Sequence, residues 1–322
     1  MSTIGAAVAH NVLSTGPQET LSVRKFLPLA LLIGIAGCSS LPPMRDTLEH
    51  FDEGAHTVAT AQLTFLSAVQ FADCDEQFLS KAYDYAHGQD GIDLRASCQP
   101  SVLPAEQVET RQALLNAIIL YVDQLQAMAA AGDDQSLDTN EQDLAAKANA
   151  LAQAHGFSNL SAPADVEAAV IGLTGMVLDR RKSRTLVSAA REQQPALSKV
   201  VAALQNENVE LAAAIDSNLV VVRAELAAVL AEVRNHDHEK VFFDAVQARG
   251  ILQAADPFHA SAPLTPDDPQ AEDAKRTSQV VAQLNDALEA IVQANHALAT
   301  SGPGGVKAAV PDLIVRARAA QR

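Results

Sequence analysis

His236-Asp237-His238-Glu239 is the one place in this sequence that looks like a set of metal ligands. On a helix, two histidines separated by one residue fall ~200° apart, so His236 and His238 hold one ion only if the helix breaks or another segment contributes. Glu232 and His236, at i,i+4, share a face, as do His236 and Glu239, at i,i+3. Those three side chains compose a partial divalent site. No His-Glu-x-x-His pattern supports metalloenzyme chemistry. We take the plainer reading, a solvated polar turn within a long helix, and expect no metal there.

Two other clusters invite a chemical reading. Asp133-Asp134-Gln135-Ser136-Leu137-Asp138 resembles a calcium loop only in being acidic. The sixth position, where a sharp turn demands glycine, is Asp138, and the spacing to a bidentate glutamate is wrong. A capped connecting loop is expected instead. Arg180, Arg181, Lys182 and Arg184 are four cations within five positions of a chain whose net charge is −16. Helical phase puts Arg180 and Arg184 on one face and turns Arg181 and Lys182 away from it. The cluster serves either as a solvated or internally paired face, the reading preferred here, or as a docking patch for an acidic partner, peptidoglycan carboxylates or anionic lipid.

Motifs for group transfer are missing. There is no glycine-rich phosphate loop and no Gly-x-Ser-x-Gly elbow. No cysteine is convincingly matched with a histidine as a nucleophile. No cofactor is expected, and a non-enzymatic role follows as the first expectation. The acidic balance also argues against nucleic acid, whose binding draws on clustered cations.

The elements that would carry these groups are helices. Aromatic residues make up 4% of the chain and tryptophan is absent, so residues that favour strands are thin while alanine, the best helix former, is abundant. Leu48, Phe51, Ala55, Val58, Gln62, Phe65, Val69 and Ala72 alternate steps of three and four, a heptad-like stripe on a helix expected from about Arg45 to Tyr85. A second helix is expected from Pro104, with Val108, Leu115, Ile118, Val122, Leu125 and Ala129 on its stripe and Arg111 the exception. A third runs from about Glu141 to His155, and a fourth begins near Pro163 with Val166, Val170, Leu173 and Val177 inward, resuming after the cations through Leu186, Val187 and Ala190.

The longest pattern starts at Pro195 and passes through Leu197, Val201, Leu204, Asn208, Leu211, Ile215, Leu219, Val222, Leu226, Leu230 and Val233 toward Ala254. A helix of about 55–60 residues would be ~85 Å long at 1.5 Å per residue. Asn208 on its seam is suited to fixing register with a partner helix. A final long helix carries Thr277, Val281, Leu284, Leu288, Ile291, Asn295 and Leu298. It is expected to end in a flexible break at Ser301-Gly302-Pro303-Gly304-Gly305, followed by a short terminal helix. The expected fold is all-α: an elongated bundle of long antiparallel helices over residues 45–300.

The N-terminal region has its own logic. Arg24 and Lys25 precede an apolar run from Phe26 to Ala36 that is too short to span a bilayer. The run ends in small residues and Cys38, the layout of a secretory signal peptide. Ile35-Ala36-Gly37-Cys38 resembles the lipobox of bacterial lipoproteins. That resemblance implies cleavage before Cys38, diacylglycerol on its sulfur, and a tether over residues 38–44. Ser39 resembles the choice that directs such proteins to the outer membrane. Residues 1–22 are long for the polar start of a leader. We expect translation to begin at Val23, since GTG starts a gene yet reads as valine within one.

After export, Cys74 and Cys98 remain as a pair in an oxidising compartment and are expected to form a disulfide. The alternative is two free buried thiols. The resulting expectation is a lipid-anchored, periplasm-facing scaffold or accessory binding protein, held to the membrane by acyl chains on Cys38 and acting on an envelope protein whose identity the sequence does not name. Two further readings stand beside it: an inhibitor or immunity-type lipoprotein that sequesters a toxin or hydrolase, and an enzyme on cell-wall or lipid substrates.

Overall fold

The computed structural model describes residues 42–94, 96–130, 146, 163–175, 185–233 and 269–321. Among them there are five helices and no strand: α1 (Pro42–Ala86), α2 (Ala105–Ala130), α3 (Pro163–Gly175), α4 (Leu186–Val233) and α5 (Pro269–Ala320). The chain is all-α, a bundle of long antiparallel helices. The helix expected over about 141–155 lies outside the described residues, apart from Ala146, which is helical.

Hydrogen bonds and side-chain contacts between helices set the topology. The Cys74–Cys98 bridge and the Gln70–Leu103 hydrogen bond join the end of α1 to the approach of α2, while Asp52 on α1 meets Asp123 far along α2, so the two run antiparallel. Arg111 on α2 reaches Glu207 on α4. Tyr121 bonds Asn295, which in turn bonds the carbonyl of Ala190. These contacts place α2 antiparallel to α4. Between α4 and α5 the pairs are Arg191 with Ala299 and Gln205 with Asn285, again antiparallel. The short α3 lies against α4, where Asp165 approaches Lys199 at 3.9 Å.

The stripes point inward. All eight stripe positions of α1 from Leu48 to Ala72 are buried, and so are all seven of α5 from Thr277 to Leu298. Each fully buried Leu or Phe contributes ~1.5–3 kcal/mol relative to an exposed one. Alanines 55, 59, 113, 117, 190, 287 and 294 are also buried at the helix contacts, where a small side chain lets two backbones draw close.

The polar members of the stripes are paired. Gln62 and Asn208 exchange hydrogen bonds through their amides, and Asn208 Nδ2 also donates to Asn285 Oδ1 at 3.0 Å. This amide layer falls between two apolar clusters. One contains Val58, Leu204 and Leu288, the other Phe65, Leu211 and Leu284. A shift of either helix by one turn would leave these amides buried without partners, at ~1–3 kcal/mol each. The partner expected for Asn208 is therefore Gln62, with Asn285 as a third member.

Two boundaries differ from the sequence expectation. Helix α4 starts at Leu186 and carries Pro195 within it. Thr185 caps its start: its Oγ1 accepts from the Ser188 amide at 3.2 Å, and its carbonyl accepts from Ala189. An internal proline removes one ladder hydrogen bond and costs ~3 kcal/mol. Burial of Ala189, Ala190 and Leu197 on either side of it offsets that cost.

The break near 301–305 is also narrower than expected. Gly302 alone leaves helical geometry, at φ 62° and ψ −148°, a conformation that glycine tolerates and other residues do not. The chain reverses there, and residues 303–320 form a helix alongside the first turns of α1. Gly54 permits the approach, since a Cβ on it would lie 2.7 Å from the Leu313 side chain.

Candidate functional site

Asp52, His56 and Asp123 form the most chemically suggestive group among the described residues. Asp52 and His56 lie one turn apart on α1, and α2 brings Asp123 to them from the other side of the helix contact. One ligand atom from each residue lies within 4.8 Å of the others. His56 Nε2 is 3.5 Å from Asp52 Oδ1. His56 is exposed, while Asp52 and Asp123 are half-buried. Asp52 Oδ1 is buried and has no hydrogen-bond partner.

The electrostatics of Asp52 follow from that setting. Burial is the largest influence and pushes its carboxyl up from 3.8 to about 6; His56 pulls it down, while the charge and hydrogen bond of Asp123 and the charge of Glu49 push it further up. In chelator-treated protein the folded state therefore holds this proton between about pH 4 and 6, where the unfolded chain has lost it. More protons bound to the folded state means that stability falls as pH rises through that window. Asp52→Asn is expected to remove this fall. It should also raise stability at pH 7 by an amount on the order of 1 kcal/mol, after allowing for solvent screening of a partly exposed group. Urea unfolding from pH 4 to 7 measures both.

No protein-family model matches this chain, and no curated protein or solved structure is detectably similar to it.

A second feature shares helix α1 with the first. A cavity of about 610 Å³ opens between the first turns of α1 and the helix after Gly302. Asp46, His50 and Glu53 line one side, Lys307, Arg318 and Ile314 the other. Glu53 lies 3.5 Å from Arg318 and 3.4 Å from His50. Acids face bases across this opening, so its field selects no single sign of ligand. The one hydroxyl among its described lining residues, on Thr47, is buried and already engaged.

Of the residues singled out from sequence, Cys74 and Cys98 are joined by a disulfide, with Cα atoms 5.6 Å apart. The loop it ties to α1 is also held by the buried Asp73. This carboxylate accepts from the Ser101 and Val102 amides and from the Ser101 hydroxyl. Cys38, the Asp133–Asp138 loop, the cations Arg180, Arg181, Lys182 and Arg184, and His236 and Glu239 lie outside the described residues, and of Glu232 only the backbone is described.

The Asp52–His56–Asp123 group was missed from sequence. Its one signal there is the i,i+4 spacing of Asp52 and His56. The third member, Asp123, becomes visible only when α1 and α2 are set in register.

Proposed function

We propose that this chain is a lipid-anchored, periplasm-facing helical scaffold or accessory binding protein of the bacterial envelope. The observation that carries the reading is the order of residues from Arg24 to Cys38: two cations, a short apolar run, small residues and one thiol. Helix α1 begins at Pro42, within a few residues of that thiol. Among the described residues no helix is long and apolar enough to cross a membrane. In this reading acyl chains on Cys38 are the membrane tie. Each buried CH₂ contributes ~0.8 kcal/mol, so two or three chains hold durably where one does not. The Cys74–Cys98 bridge supports an oxidising compartment.

The bundle supports the scaffold role through its interior. Its core is filled by apolar stripes and by the Gln62–Asn208–Asn285 amide layer, whose hydrogen bonds are spent on holding helices in register. The surfaces of long helices are then left for protein contacts. The inhibitor or immunity-type reading shares the anchor and the fold and differs only in the partner.

In-cell crosslinking followed by mass spectrometry tests the role. The expected result is a reproducible envelope protein joined to the bundle surface and lost when Cys38→Ser releases the protein. Recovery of no envelope component from intact cells removes the basis of the proposal. Recovery of a secreted toxin or hydrolase replaces it with the inhibitor reading.

A further inference from the structure

We propose that Asp52, His56 and Asp123 bind one divalent first-row cation of the Zn²⁺ class, and that the ion clamps α1 to α2. The argument begins with donor type. One imidazole and two carboxylates form a mixed nitrogen and oxygen set suited to Zn²⁺ and its first-row neighbours, whereas Mg²⁺ and Ca²⁺ favour oxygen alone.

Geometry agrees. Donors ~2.1 Å from a tetrahedral ion lie ~3.4 Å from one another. The His56 Nε2 to Asp52 Oδ1 distance of 3.5 Å already has that value. The full set, within 4.8 Å, closes the remainder by rotation of side chains that are exposed or half-buried.

An independent observation points to a ligand. Asp52 Oδ1 is a buried oxygen that accepts no hydrogen bond; its nearest cation-capable neighbour is His56 Nε2, at 3.5 Å. The Asp52 and Asp123 carboxyl groups meet there, with Glu49 adding a further acidic influence on Asp52. A cation seated among these atoms gives the buried oxygen a direct ligand and offsets the clustered carboxylate charge. With three protein donors, the remaining coordination position is open to water.

The site is independent of the membrane anchor, so the two proposals fail separately. The test is calorimetric titration of the chelator-treated full chain with ZnCl₂, beside MgCl₂ as comparison. We expect one saturable Zn²⁺ site at Asp52–His56–Asp123, at least tenfold weaker Mg²⁺ binding, and a higher melting temperature with Zn²⁺. His56→Ala and Asp123→Asn should each weaken that site at least tenfold and abolish the thermal shift. Circular dichroism confirms that each variant is folded, and His56→Gln serves as the second variant at that exposed position.

The His236→Ala/His238→Ala double variant and His50→Ala should leave the site intact. Co²⁺ in place of Zn²⁺ should give visible ligand-field bands that vanish in His56→Ala. Absence of saturable binding overturns the proposal. So does a site whose affinity stays within twofold in His56→Ala and Asp123→Asn, or one lost only with His236 and His238.

Discussion

Glu207→Ala should destabilise the protein by ~3–5 kcal/mol, while Arg111→Met combined with Glu207→Leu should be close to neutral or more stable than the parent. The side chains of Arg111 and Glu207 are only 4% and 6% exposed and form an ion pair between α2 and α4. Arg111 also donates to the Gln107 carbonyl at 2.9 Å, and its Nε has no partner. Removing the glutamate alone leaves a guanidinium buried with its charge uncompensated, and the desolvation cost stays while the attraction goes. Removing both leaves an apolar pair of similar volume and no desolvated charge. Urea unfolding at neutral pH measures the two variants. A single variant as mild as the double would show that water reaches the pair and that it contributes little to helix registration.

Removing the disulfide by Cys74→Ser with Cys98→Ser should cost ~3.5 kcal/mol. The two residues are 24 apart in sequence, and closing a loop of that size in the unfolded chain removes entropy of about this magnitude. For a domain of this size the melting temperature should fall by about 7–14 °C. Native helix content should not change. The loop stays docked through Asp73 on the Ser101 and Val102 amides, Gln77 on the Gln99 carbonyl and Gln70 on the Leu103 carbonyl. The bridge therefore acts mainly on the unfolded state. Thermal melts with circular dichroism at 25 °C separate the two effects. A fall in native helix content would mean that the bridge holds the α1–α2 connection directly.

Much of the architecture is legible in residue spacing. The α1 and α5 stripes need no tertiary information, because apolar residues at three and four steps define one face of a helix wherever it packs. Gln62 and Asn208 stand out as polar interruptions for the same reason, and their burial makes them a pair. The continuity of α4 from Leu186 through Pro195 was less legible. Pro195 is a strong local stop signal, and only the burial of Ala189 and Ala190 against other helices outweighs it. The candidate metal ligands were less legible still. Asp52 and Asp123 are exposed-type residues on separate helices, and nothing local ties one to the other. Their meeting depends on the relative register of α1 and α2, which is fixed at a distance by Cys74–Cys98 and by the packed stripes.

The most direct test of the account is mass spectrometry of the mature protein, purified from membranes of a bacterium expressing the chain with its leader. The account predicts an N-terminal peptide beginning at Cys38 with diacylglycerol on sulfur, and a Cys38→Ser variant that leaves the membrane fraction. An unmodified Cys38 within a longer chain, together with unchanged membrane association of the variant, would contradict it.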